Sequence, residues 1–223
     1  MLLRSKKWQQ AYPGAFVGVL ALNNVVNPPQ HDTLDERKAA LETTLRANYA
    51  ALDRPALRAL PILAAYHAYY KRFKKTYHVQ HQLESIVHKG KSIPRVAALV
   101  EAMFMAELED QLLTAGHDWA IVQEPVTLDV AEGSERYVRI NGQEQQLAAN
   151  DMFIADAVGV LSSVVHGPDQ RTQITEATTR VLFTVYAPPG IGETAVHAHL
   201  QNIQNNIRLF APHAQTQQLT VYP

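Results

Sequence analysis

The patterns that specify helix and strand are segregated along this sequence, and that segregation limits the folds open to it. From about residue 33 apolar side chains recur at helical spacing, and from about residue 120 they recur as short, partly β-branched runs separated by turn signals. Helices early and strands late favour an α+β fold over the alternating order of a parallel α/β sheet. We read one domain over residues 1–223, helix-rich over 1–116 and strand-rich over 117–223, with a mostly antiparallel sheet.

Local signals mark the elements. Gly14 to Leu22 is an apolar run ending at Asn23-Asn24, which predicts a buried strand in the helical half. Thr33-Leu34-Asp35-Glu36 has the capping-box spacing, hydroxyl to carboxylate, and predicts a helix to about Leu52. Asp53-Arg54-Pro55 predicts a second helix start, and Pro61 restarts the pattern through Lys75. Val79 to Lys89 predicts a helix closed by Gly90, and Pro94 opens a longer one ending before Gly116. Asn141-Gly142 predicts a type I′ hairpin between Arg136–Ile140 and Gln143–Leu147. Met152 to Val165 reads as a strand pair, Gly167-Pro168-Asp169 as a turn, and Arg180 to Tyr186 as a strand. Glu193 to Leu209 predicts a last helix and Gln217 to Tyr222 a last strand.

Charge and composition exclude some functions. The chain has no cysteine, which removes disulfides, thiolate nucleophiles and cysteine-bound metals. A cytoplasmic setting fits that usage. No apolar run reaches the roughly 20 residues of a spanning helix. Met1-Leu2-Leu3 precedes the first charges, the reverse of a signal peptide, so neither a membrane partner nor a leader is expected. The net charge of -1 hides a gradient: Lys71, Arg72, Lys74, Lys75, Lys89, Lys91 and Arg95 face Glu84 alone, whereas residues 101–135 hold no Lys or Arg. Those cations are candidate RNA-binding residues, and two solvated helix faces of opposite sign would give the same pattern.

No phosphate-cradling loop, dinucleotide fingerprint or nucleophile elbow is present, and no cofactor is expected. His78 and His81, three apart, and His197 and His199, two apart, lack a third ligand, so no metal is expected. Ser162 and Ser163 are neighbours in a strand with no evident base, and no serine nucleophile is assigned. The densest polar cluster is His166, Asp169, Gln170, Arg171 and Thr172, a turn between two strands. It reads equally as a site or as a turn in which Asp169 or Thr172 caps the backbone and Arg171 pairs with Asp169.

Three stretches carry a family resemblance: Tyr70-Lys71-Arg72-Phe73; Gly90-Lys91-Ser92-Ile93-Pro94 through Gly116-His117-Asp118; and Ile154-Ala155-Asp156-Ala157 through Ile174-Thr175-Glu176-Ala177-Thr178-Thr179-Arg180-Val181-Leu182. Together they resemble the B3/B4 tRNA-binding and editing module of the phenylalanyl-tRNA synthetase beta subunit, over about residues 66–189. The resemblance implies that fold, aminoacyl-tRNA as partner, and hydrolysis of a mischarged ester such as tyrosine on the phenylalanine tRNA. Such a site works by positioning and oxyanion stabilisation, without an activated nucleophile. For a site of this kind we expect Asp169, His117 and His166 in catalytic roles and Gln170, Arg171 and Thr172 around the substrate, while Tyr or Phe of residues 66–95 stack an unpaired base. The glutamate of the synthetase turn falls at about Gln170 here, its loop histidine near Ala115, and its helix asparagine at about Phe104. Those departures fit a second expectation, a non-catalytic module binding an aromatic amino acid or related small molecule. A third is a protein-binding scaffold using the acidic helix from Glu101 to Asp110.

Overall fold

The structure is a computed structural model and describes residues 2–223. Strand β1 (Leu2–Arg4), helix α1 (Lys6–Ala11) and strand β2 (Phe16–Asn23) come first. Five helices follow: α2 (Asp32–Tyr49), α3 (Arg54–Arg58), α4 (Pro61–Lys71), α5 (His78–Lys89) and α6 (Ala98–Asp110). Then come β3 (Thr114–Asp118), β4 (Val126–Val130), β5 (Arg136–Val138), β6 (Glu144–Gln146), β7 (Met152–Ala155), β8 (Val160–Ser163), β9 (Gly167–Pro168) and β10 (Arg180–Ala187). Helix α7 (Glu193–Arg208) and strand β11 (Gln215–Tyr222) close the chain.

The strands form two main sheets, ordered β1-β4-β7-β8-β9 and β11-β2-β10-β3, and a small β5-β6 ribbon. Every pairing is antiparallel except β1 with β4. The early strand β2 is central to the four-stranded sheet, and six consecutive residues, Val17 to Leu22, are buried. Its unbroken apolar run follows from being covered on both faces. On one face, Gly18 lets α7 approach: a Cβ there would lie 2.7 Å from Val196 Cγ1. On the other, Val19, Ala21, Leu182 and Thr184 look across to Leu2 and Val126 of the five-stranded sheet.

Helix α4 ties the two sheets together with three buried tyrosines. The Tyr66 hydroxyl donates to the Tyr186 carbonyl at 2.5 Å and accepts the Leu113 N–H at 2.8 Å, both at the four-stranded sheet. Tyr69 donates to Asp151 at 2.7 Å and accepts the Met152 N–H at 2.7 Å; Tyr70 donates to the Val164 carbonyl at 2.6 Å. Tyrosine suits this place because its ring fills core volume while its hydroxyl satisfies backbone groups at a distance. These rings are therefore core, not a base-stacking platform, and among the Tyr70-Lys71-Arg72-Phe73 aromatics only Phe73 is partly exposed.

Several local expectations shift. Helix α2 starts at Asp32 with His31 at its N-cap, so Thr33 lies inside the first turn and the Thr33–Glu36 box does not form. Helix α4 stops at Lys71, and Lys74 takes a positive φ of 55°. Residues 91–97 form no regular element, and α6 starts at Ala98 rather than at Pro94, because its orphan amides are met from elsewhere: Ala98 N–H by the Pro28 carbonyl at 3.0 Å and Leu99 N–H by Asn27 Oδ1 at 2.8 Å. The Asn141-Gly142 hairpin forms, but only Gly142 has a positive φ, 78°, and its N–H bonds the Arg139 carbonyl at 2.8 Å. Ile140 and Asn141 thus make an ordinary turn followed by a left-handed glycine rather than a type I′ turn. Gly167 and Pro168 pair with Ser163 and Ser162 as β9 instead of turning. Gly90 caps α5 in the left-handed conformation, φ 64°, as its position suggests.

Candidate functional site

The four-stranded sheet ends at β3, and a cavity of about 480 Å³ lies along that open edge. Thr114, Ala115 and Gly116 of β3 line it, with Val100, Met103, Phe104 and Glu107 of α6 on one side. Ser163, Gly167, Pro168, Ile174 and Tyr186 form the other side, and His78, Val96 and Ile140 stand at the rim. The β3–β10 register (Ala115 with Thr184, His117 with Leu182) and the bonds of Tyr186 N–H to Leu113 and Trp119 N–H to Arg180 assign residues 113, 115, 117 and 119 to the ladder. Strand alternation then turns the backbone of Thr114, Gly116 and Asp118 outward. Two of these outward amides are used: Thr114 N–H by Glu107 Oε1 at 2.7 Å and Asp118 N–H by the Thr172 carbonyl at 2.7 Å. The Gly116 N–H is left facing the cavity edge. Glycine fits at 116 because a Cβ would lie 2.8 Å from Ile174 Cδ1.

Glu107 is the cavity's one buried carboxyl, 1% exposed. Burial pushes its pKa up to about 8, against the lowering effect of the Thr114 N–H. The group is thus largely protonated at neutral pH and can donate a hydrogen bond. In the sequence it sits in an acidic run, and the signal that sets it apart is a carboxylate at an apolar-periodic position, between Ala106 and Leu108.

A second hollow of about 350 Å³ adjoins the first, sharing His78 and Phe104. His81, Gln82, Ser85, Lys91, Ser92 and Pro94 line it. Lys91 of that lining is exposed, as is Lys89 at the end of α5, whereas Arg95 is held by Asp35 at 3.0 Å. Lys71, the last residue of α4, and Lys74 and Lys75 just after it are exposed. Arg72 lies over the rings of Tyr12, Tyr69 and Phe73, 5.2 to 5.6 Å from their centroids.

The residues singled out in the turn after β9 are brought together only in part. His117 and Asp169 meet at 3.8 Å, with Thr172 between them. His117 Nδ1 lies 2.8 Å from Thr172 Oγ1, which donates to Asp169 Oδ1, and His117 Nε2 lies 3.2 Å from Ser162 Oγ. Ser162 Oγ in turn meets the Tyr186 hydroxyl at 2.8 Å. All of His117, Ser162 and Thr172 are fully buried, and none of them lines the cavity. Burial, with Arg171 adding to it, drives the His117 pKa down to about 3, so the ring is neutral and the Asp169 contact is no ion pair. Asp169 also accepts the Thr172 N–H at 3.2 Å, the turn-capping role. Arg171 is held by Asp156 at 2.8 Å and lies 3.5 Å from Asp169. His166 is half-buried with its N–H on Ser163 Oγ at 3.1 Å, and burial, then Lys75 and Arg139, lower its pKa. Gln170 is exposed, its N–H on the Val138 carbonyl at 2.9 Å. The cluster therefore braces the cavity wall from behind, and Gly167 and Pro168 are its cavity-facing part.

Of the histidine pairs, His81 lies 3.6 Å from Glu84, which Arg54 and Gln80 also hold. His197 is exposed and His199 fully buried. His199 Nδ1 is 2.8 Å from Asp110 Oδ2, and its Nε2 is 2.7 Å from Thr114 Oγ1.

Known proteins place this architecture. A comparison with curated proteins finds no match. Among solved structures, an N-terminal fragment of the phenylalanyl-tRNA synthetase beta subunit from Pyrococcus horikoshii aligns with all of this chain at a TM-score of 0.50 and 11% identity. The alignment covers 54% of that fragment, so the chain spans about half its length. At that identity the likeness speaks for the fold. The sequence profile of the B3/4 domain matches residues 64–207, from within α4 to the last turn of α7, and takes in every residue of the cavity wall. The chain belongs to the B3/4 domain family.

Proposed function

We propose that the cavity takes the aminoacyl group of a charged tRNA and that the protein hydrolyses its ester. One observation carries the reading: a largely apolar cavity with a protonatable Glu107 shares His78 and Phe104 with a more open hollow lined by Lys91, and Lys89 is exposed two residues away in sequence. An apolar or aromatic side chain fits the first and a nucleotide phosphate fits the second. A neutral Glu107 can donate to a polar group on the ligand, and the Gly116 N–H on the same wall can bind a carbonyl oxygen. The test is deacylation of tyrosyl-tRNA bearing the phenylalanine anticodon, against correctly charged phenylalanyl-tRNA. Faster loss of the mischarged species is expected; equal spontaneous loss of both with no tRNA retained would sink the proposal.

A second reading, a non-catalytic module for an aromatic amino acid or related small molecule, is favoured by one fact. His117 and Asp169 are buried behind the wall and cannot touch a ligand in the cavity. It expects thermal stabilisation by free tyrosine, phenylalanine or their analogues without any hydrolysis.

A further inference from the structure

Two hydroxyl–imidazole–carboxylate chains run through the protein, and only one reaches the cavity. In the first, Ser162, His117, Thr172 and Asp169 are connected, but the serine is fully buried, lies off the cavity wall and also meets Tyr186. In the second, Thr114 lines the cavity and its Oγ1 is 2.7 Å from His199 Nε2, while His199 Nδ1 is 2.8 Å from Asp110 Oδ2. Asp110 accepts from Nδ1, and in the neutral ring that tautomer leaves the Nε2 lone pair for the threonine hydroxyl. Asp110 is itself held by Asn202 Nδ2 at 2.9 Å. The local fold sets this up: α6 ends at Asp110, Gln111 takes a left-handed φ of 63°, and the chain reverses into β3, which begins at Thr114. Helix α7 brings His199 in between.

We infer that Thr114, His199 and Asp110 form a nucleophile relay that opens the carboxylic ester of a ligand held in this cavity. Nucleophile to base and base to orienting carboxylate both lie within hydrogen-bond reach, as activation of a hydroxyl requires. Thr114 Oγ1 attacks the acyl carbon as its proton passes to His199 Nε2. The carbonyl oxygen becomes an oxyanion, for which the Gly116 N–H, two residues along the same open edge, is the donor. Collapse breaks the bond to the alcohol oxygen, which takes the proton from His199 and leaves. Water then attacks the acyl-threonine, giving its proton to His199; the acid departs and the threonine recovers its hydrogen.

The inference rests on the ester-hydrolase reading for its substrate, and the experiment separates the two. Wild-type protein, Thr114→Val, Thr114→Ser, His199→Gln and Asp110→Asn are compared for binding and single-turnover hydrolysis of tyrosyl-tRNA bearing the phenylalanine anticodon, with acid quench and peptide mapping. We expect Thr114→Val and Asp110→Asn to bind as the wild type does but hydrolyse about 100-fold slower or worse, Thr114→Ser to retain activity, and an acyl group to be trapped on Thr114. Wild-type rates in a folded Thr114→Val protein overturn the relay and leave ester hydrolysis standing. Binding without hydrolysis by the wild type overturns the relay and leaves a binding module. Should Thr114→Val fail to fold, hydrolysis by a folded Asp110→Asn at the wild-type rate, with no acyl-threonine in the wild type, overturns it as well.

Discussion

Glu107 accepts the N–H of Thr114 at 2.7 Å, so a side chain inside helix α6 fastens the open edge strand that walls the cavity. Its pKa in the fold, about 8, stands above the ordinary carboxylate value of 4.5. The folded state therefore holds this proton more tightly than the unfolded chain. That contribution to stability is complete below pH 4.5 and is lost as pH rises through 8, a change on the order of a few kcal/mol. Buried Asp151, with a pKa raised to about 6, acts in the same sense at lower pH, and His117 acts in the opposite sense below 6.5. Between pH 6.5 and 8 the slope should belong mainly to Glu107. A Tm-versus-pH series is expected to fall across that window in the wild type and to flatten in Glu107→Gln; parallel curves would contradict the assignment.

The Tyr69 hydroxyl serves Asp151 and the Met152 N–H at once. Tyr69→Phe leaves both buried groups short of a partner and should destabilise the fold by about 1–3 kcal/mol. Urea denaturation with an unchanged slope and a lower midpoint would show it.

Lys38 is buried between Asp35, at 3.1 Å, and Glu101. Glu101 also accepts the Val96 N–H at 2.8 Å, just before α6 begins. Lys38→Met strands a buried carboxylate and should cost about 3–5 kcal/mol, whereas Lys38→Met with Glu101→Gln should cost less. A double-mutant cycle in guanidinium measures the coupling; additive losses would mean the pair is not interacting.

On the proposed function, Lys89 and Lys91 are free to meet phosphates while Arg95 is occupied by Asp35. Replacing both lysines by Ala should reduce the slope of log affinity for tRNA against log salt by about 1–2, and Arg95→Ala should change it little. Filter binding from low to high salt distinguishes these outcomes.

What the sequence reveals depends on the range of the interaction that fixes each feature. Helix α5 and its Gly90 cap are set by neighbours within a turn, and the buried strand β2 by its own unbroken apolar run, so both are legible. The start of α6 is not, because Asn27 and Pro28 supply its caps from the far side of α2. The nearness of His117 to Asp169 is legible from the family resemblance, but their burial is not, since it depends on Ser162 and Tyr186 closing over the ring. The chain through Thr114, His199 and Asp110 joins residues 85 and 89 positions apart, and no local pattern marks His199 as different from exposed His197.

Helix α4 contributes no side chain to the cavity wall, yet its tyrosines grip both sheets from which that wall is built. One side of the cavity ends in Tyr186 of the four-stranded sheet and another in Ser163 of the five-stranded sheet. Sliding one sheet against the other would have to break the hydroxyl bonds of Tyr66, Tyr69 or Tyr70 first. The helix therefore acts as a gauge block: it fixes the spacing of the cavity's two walls from a position outside them.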